Sequence, residues 1–205
     1  MSIAKRRARP YRMQRRAEAI EETRNQIIWA TMQLHAEKGV AATSQADVAA
    51  RSRVAPATVY RHFPTMGALV HACGRLTWDA VNPPKPEDAG RLYDGLQSTH
   101  DRLVRFVDEV CAFYARAWAS LEAARRERNR VPELDDELRG VEAGIAELAL
   151  RALDTEAPEA TPKLQLILAL TDFAVWKSLR DHGISEASAP HLMTALVECA
   201  LPPSG

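Results

Sequence analysis

Residues 43–70, TSQADVAARSRVAPATVYRHFPTMGALV, constrain the fold more than any other stretch, because their punctuation sets two short helices and a tight turn. Ser44 stands three residues before Asp47, the spacing at which a hydroxyl and a carboxylate cap a helix reciprocally, and Val48 and Ala49 open an apolar face behind them. The turn is expected at Ser52-Arg53-Val54. Pro56, with its fixed φ and missing N–H, suits the first position of a second helix running through His62. Val59 and Phe63, four apart, face inward on it, while Ala57, Thr58 and Arg61 lie on the opposite side. A short helix that offers small, hydroxyl and guanidinium groups outward, joined by a tight turn to another, has the layout of a helix-turn-helix, whose second helix enters a DNA major groove.

The flanking sequence reads as helix throughout. A helix over 22–38 places Ile27, Ile28, Thr31, Leu34 and His35 on its inner side, and Gly39 ends it. After Pro64 another runs to about Ala80, with Leu69, Val70, Cys73 and Leu76 inward. Asn82-Pro83-Pro84-Lys85-Pro86 then interrupts the chain, and a domain boundary is expected there. Leu103, Phe106, Val107, Val110, Phe113, Tyr114, Ala117, Trp118 and Leu121 keep a three-four rhythm that marks a long amphipathic helix, continued by a charged, solvated stretch to Arg130. Pro132 begins the next helix, carrying Leu134, Leu138, Val141, Ile145, Leu148 and Ala152, and a loop follows over Thr155–Thr161. From Leu164 to Trp176 the chain is apolar almost all round, which predicts one helix buried on two sides, the second side by another subunit, and ended by Gly183. Pro190 opens a last helix, which Pro202-Pro203 closes. With no strand-length alternation and no internal repeat, the fold class is all-α.

A chain of 205 residues with 46% hydrophobic content can bury a full core. No run of eighteen apolar residues occurs and the basic N-terminus lacks an apolar signal stretch, so neither a membrane partner nor export is expected, and the compartment is read as cytoplasmic. Cys73, Cys111 and Cys199, odd in number and without a CxxC, argue against a disulfide framework and a zinc site and are read as small buried apolar residues.

The formal net charge of zero hides a division along the chain. Lys5, Arg6, Arg7, Arg9, Arg12, Arg15 and Arg16 put seven positive charges in the first sixteen residues, and the remaining 20 basic residues face all 27 acidic ones, a net charge of −7 over residues 17–205. Like-charge blocks stay unstructured and form interaction tails, so residues 1–21 are expected to be a disordered basic arm that meets phosphates or a minor groove, the alternative being a solvated tail.

Enzymatic signatures are missing. The chain holds no GxSxG, GxGxxG, P-loop, HExxH or Glu-x-x-His, so it is expected to be no enzyme and to need no cofactor or metal.

The order Lys38-Gly39, Thr43-Ser44, Asp47-Val48-Ala49, Val54 and Thr58-Val59-Tyr60-Arg61-His62-Phe63-Pro64 strongly resembles the N-terminal domain of tetracycline-repressor-like (TetR family) transcriptional regulators, over about residues 24–72. The segment from Asp172 to Gly183 is similar to that family's penultimate dimerisation helix. The resemblance implies a helix-turn-helix DNA-binding domain over 22–82 and a helical effector-binding and dimerisation domain over 83–205. Its partners would be a double-stranded operator, a second copy joined through Leu164–His182 and His191–Leu201, and a small effector. On chemistry, Thr58, Tyr60 and His62 suit phosphate oxygens, and these positions and Arg61 match the family's contact positions. Arg61 has the fork that reads guanine, Pro56 and Ala57 can touch a thymine methyl, and Ser44 and Gln45 can reach backbone or base. The alternative for Tyr60 is a packing aromatic.

The chain departs from the family pattern at several positions. Arg53 stands where the turn usually has Gly, Ala55 replaces the usual Ser cap, and Ala46 and Met66 replace residues that often meet phosphate. His35 replaces an apolar core residue and is read as a satisfied core histidine. In the second domain Phe106, Val110, Phe113, Tyr114, Trp118, Phe173 and Trp176 are candidates to line an apolar or aromatic effector pocket, with His100, Thr171 and Asp172 beside Tyr114 as polar groups, or simply to fill the core. The functional expectation is a repressor released by a small molecule. Its alternatives are a ligand-independent or activating regulator, and a helical interaction or ligand-carrier module without specific DNA binding.

Overall fold

The computed structural model describes residues 4–153 and 162–201, and all of its regular structure there is helical. Among the described residues ten α-helices follow in order: α1 (Ala4–Lys38), α2 (Gln45–Ser52), α3 (Pro56–His62), α4 (Met66–Val81), α5 (Ala89–Leu92), α6 (Thr99–Glu127), α7 (Pro132–Ala152), α8 (Pro162–Leu170), α9 (Phe173–Asp181) and α10 (Ala189–Ala200). A short 3-10 turn, Pro86–Asp88, precedes α5. The chain divides into two compact units, residues up to Leu76 together with Glu127–Leu134, and Thr77–Arg126 together with residues from Asp135 on.

The all-α expectation holds, and α2, α3, α4, α6, α7 and α10 begin and end within a few residues of the places the sequence predicts. Two expectations do not hold. The basic arm expected to be unstructured is helical from Ala4, forming the first half of a 35-residue α1. Between Tyr11 and Lys38 there is neither Gly nor Pro, the composition favours helix, and side chains one turn apart pair: Gln14 donates to Glu18 (3.1 Å) and the Arg15 guanidinium lies 5.8 Å from the Tyr11 ring centre. Local propensity thus outweighs like-charge repulsion. The side chains of Lys5, Arg6, Arg7, Arg9 and Arg12 lie outside the described ones, as do the expected loop over Thr155–Thr161 and the closing Pro202-Pro203.

The second correction concerns the apolar run expected as one dimerising helix over Leu164–His182, which is two helices. Thr171 turns its hydroxyl back to the Ile167 carbonyl (2.7 Å), and Asp172, in an extended conformation, caps α9 by accepting from the Ala174 N–H (2.8 Å). Arg125 of α6 fixes that break with two 3.0 Å hydrogen bonds to the Asp172 carboxylate.

In the first unit Ile27, Ile28 and Leu34 of α1, Val48 and Ala49 of α2, Val59 and Phe63 at the end of α3, and Leu69, Ala72 and Cys73 of α4 form one core. In the second unit α6 is the central element, burying Leu103, Phe106, Val107, Val110, Phe113, Tyr114, Ala117 and Leu121, and α10 packs against α8 and α9. Cys73 and Cys111 are buried, and burial pushes both thiols up to about 12. Cys199, expected to be buried, is exposed.

Candidate nucleic-acid interface

The two helices of the candidate interface are held by their caps. Ser44 accepts from the Asp47 N–H while the Asp47 carboxylate accepts from the Ser44 N–H (2.9 Å), so the expected capping box is formed. Lys38, at the end of α1, adds a 2.7 Å ion pair to Asp47, and this hydrogen bond, with those from Ser44, holds the carboxyl well below the usual carboxylate range.

Arg53 ends α2 in the left-handed region, φ 54°. Its N–H reaches the Ala50 carbonyl and the Val54 N–H reaches the Ala49 carbonyl (3.2 Å), the two crossed bonds of a Schellman motif. The turn therefore closes with the ordinary geometry even though an arginine occupies the glycine position, at a cost of about 1 kcal/mol or more in backbone strain. Gln26 of α1 donates to the Ser52 carbonyl (2.7 Å), satisfying a further acceptor at the same end of α2. Ala55, as its side chain dictates, gives α3 no side-chain cap, and Pro56 opens it.

Those constraints orient α3. Val59 and Phe63 are buried in the core, and the Arg24 guanidinium lies 5.3 Å from the Phe63 ring centre. Pro56, Ala57 and Arg61 are exposed, and Tyr60 keeps 55% of its surface in solvent, which removes the packing alternative for its ring. Thr58 and His62 are half-buried at the edges of the same face. The structure thus brings six of the sequence-predicted residues together on one helix. The other two, Ser44 and Gln45, are engaged within the protein: Ser44 Oγ lies 2.6 Å from Asp47 Oδ2, and Gln45 Nε2 donates to the Phe63 carbonyl (2.7 Å). Ala46 is exposed and Met66 packs against the core, so neither offers a cation.

This geometry coincides with a match to the family of bacterial regulatory proteins designated tetR, over residues 27–73. Over these residues the chain is similar to that family. Over 52 residues it is 50% identical to an HTH-type transcriptional repressor of Mycobacterium tuberculosis and to an HTH-type transcriptional regulator of Mycobacterium bovis, a stretch covering 25% of this chain. The chain spans 28% of the length of these relatives. A crystal structure of a TetR-family transcriptional regulator from Rhodococcus sp. matches 87% of this chain and 98% of its own, with a TM-score of 0.57 and 19% identity, a likeness of fold.

In the second unit the expected effector residues are packed together. Phe106, Val110, Phe113, Tyr114, Phe173 and Trp176 are all buried, with the Phe173 and Trp176 rings stacked 5.8 Å apart and Tyr114 edge-on to Phe173 at 5.4 Å. Trp118 is 53% exposed, one residue off the inward row that Ala117 occupies. The polar groups beside them are used internally: the Tyr114 hydroxyl donates to the Thr171 carbonyl (3.0 Å), and Asp172 holds Arg125. Burial raises the Tyr114 hydroxyl above its usual range. A separate groove of about 330 Å³ lies between α6 and α10, lined by Val104, Asp108, His191 and Thr194 among others, and at it His100 Nδ1 meets Glu198 (2.6 Å). No helix among the described residues is long and apolar enough to cross a membrane.

Proposed function

We propose that this protein is a TetR-family transcriptional repressor that binds a pseudo-palindromic operator as a homodimer through α3. The observation that carries this reading is the divided surface of α3, with Val59 and Phe63 anchored in the core and Pro56, Ala57, Tyr60 and Arg61 exposed on one side. Arg61 reads a guanine, Pro56 and Ala57 meet a thymine methyl, and Thr58, Tyr60 and His62 bind phosphate oxygens. Ser44 and Gln45 flank this face from α2. The repressor sense is supported by the name of the mycobacterial relative, and the helical basic extension of α1 supplies further positive charge for phosphates.

Homodimerisation is supported by α10, where Leu192 and Leu196 stand one turn apart with 37% and 43% of their surfaces exposed. The half-buried Val175 and Leu179 make the same spacing on α9. A second copy would cover these positions. Two α3 helices then engage successive major grooves about 34–36 Å apart, or a multiple of that, and a small apolar or aromatic effector lowers affinity by moving α4 and changing that distance. Such an effector would enter among Phe106, Val110, Phe113, Tyr114, Trp118, Phe173 and Trp176 by separating rings that now touch. The closed state of that cluster favours a second reading, a regulator that needs no ligand.

The test is footprinting on DNA flanking its own gene, followed by titration of the protected duplex against a random one. Arg61→Ala is expected to lose about 1–3 kcal/mol on the protected duplex and to relax preference at one base pair. Equal affinity of the unaltered protein for both duplexes would overturn the reading.

A further inference from the structure

The unit that carries α2 and α3 includes one segment from far along the chain, Glu127–Leu134, where α6 ends and α7 begins. Glu127 uses both oxygens of its carboxylate there: Oε1 accepts from the Val40 N–H (3.1 Å) and Oε2 from the Ala41 N–H (2.7 Å). Two successive N–H groups after a left-handed residue form a concave anion seat, and Gly39, at φ 88°, provides that conformation. A Cβ on Gly39 would stand 2.7 Å from Glu127 Oε1 and displace the carboxylate from this seat. Glu133, from the same segment, lies so close over Gly67 in the first turn of α4 that a Cβ there would collide with its carboxylate.

The seat for Glu127 is the loop that leads into α2. Thr43 closes this loop by donating its hydroxyl to the Gly39 carbonyl (2.8 Å) and its N–H to the Val40 carbonyl (3.1 Å). The next residue is Ser44, the cap of α2, and Gln45 then joins α2 to the carbonyl of Phe63, which caps α3. The hydrogen bonds of Glu127, Thr43 and Gln45 along this path are 2.7–3.1 Å long, and the continuous backbone from Val40 to Gln45 joins them.

We propose that Glu127 is a positioning residue for DNA recognition: its carboxylate fixes the 39–43 loop and, through the cap of α2, the attitude of α3. This rests on the reading of α3 as the DNA-binding helix. An amide at 127 keeps one acceptor oxygen but turns an N–H₂ group toward the other backbone donor, so Glu127→Gln should retain part of the effect and Glu127→Ala none.

The experiment measures Kd for the footprinted duplex, with far-UV circular dichroism and amide hydrogen exchange on the same full-length proteins. Losing a two-bond carboxylate contact is expected to raise Kd about tenfold in Glu127→Ala and about threefold in Glu127→Gln, with unchanged helicity. The Val40 and Ala41 amides are expected to lose protection ahead of the rest of the unit. A role confined to stability would lower the melting temperature and leave Kd, measured well below it, where it was, and that result overturns the proposal. If Glu127→Ala does not fold, an unchanged Kd in Glu127→Gln overturns it equally. Failure of the unaltered protein to prefer its own flanking DNA is a different result, which removes the DNA reading and this proposal with it.

Discussion

Gln45 Nε2 donates a 2.7 Å hydrogen bond to the carbonyl of Phe63, tying the first turn of α2 to the residue that caps α3. The bond spans the helix-turn-helix from end to end, opposite the turn at Arg53, so the pair of helices is closed at both ends. This bond spends one of the two amide hydrogens and fixes the side chain within the protein. Gln45→Ala is therefore expected to lower unfolding stability by about 1 kcal/mol, and to weaken binding by a similar factor on matched and mismatched duplexes. Urea denaturation and titration of both duplexes would check this, and a change of base preference would make Gln45 a reader instead.

What could be read beforehand followed from how local each signal is. The Ser44–Asp47 box, the proline at the start of α3 and the inward pair Val59 and Phe63 are all contained within a few residues, and each is where the sequence placed it. The break between α8 and α9 is masked because Leu164 to Trp176 is apolar almost all round, although Thr171-Asp172 before Phe173 is itself a capping signal; Arg125, 47 positions from Asp172, completes it. The seat of Glu127 on Val40 pairs residues 87 apart and leaves no periodic trace. The face of α3 was legible for the same reason as its helix, whereas the internal use of Gln45 depends on where Phe63 ends up in three dimensions.

The left-handed Arg53 offers a stabilising substitution. Glycine adopts φ 54° without the clash between Cβ and backbone that an arginine suffers, and the Arg53 side chain is exposed. Arg53→Gly should thus raise stability by about 0.5–1 kcal/mol, less than the full strain because glycine is freer in the unfolded chain. Thermal denaturation would show it as a higher melting temperature. A lower one would mean that the arginine makes stabilising contacts that outweigh the strain.

His35 gives the first unit a pH dependence. A satisfied core histidine is the expectation from the sequence, but the His35 Nε2 is buried without a hydrogen-bond partner among the described residues. Desolvation lowers its pKa from the ordinary 6.5, an effect that the nearby Glu127 carboxylate opposes. The folded protein then binds fewer protons here than the unfolded chain, so stability rises with pH. The contribution is fully present above about 6.5 and is lost as pH falls through the depressed folded value. Urea unfolding midpoints between neutral and mildly acidic pH should slope downward toward acid, and His35→Leu should flatten that slope. Equal slopes in the two proteins would assign the effect to other groups.

The exposure of Leu196 separates two accounts of α10. If α10 only closes the core of one chain, its outward leucine is a surface residue, 43% of it already in water, and an aspartate there stays solvated with little consequence. If α9 and α10 meet their copies in a dimer, the same aspartate enters a dry contact without a partner, at a cost of several kcal/mol. Leu196→Asp is therefore expected to remain helical and folded while sedimenting as a monomer at concentrations where the unaltered protein is a dimer. Loss of one subunit also removes the second α3, so binding to a pseudo-palindromic duplex should collapse toward that of a single half-site. An unaltered protein that sediments as a monomer at micromolar concentration would remove the dimer and, with it, the two-fold operator.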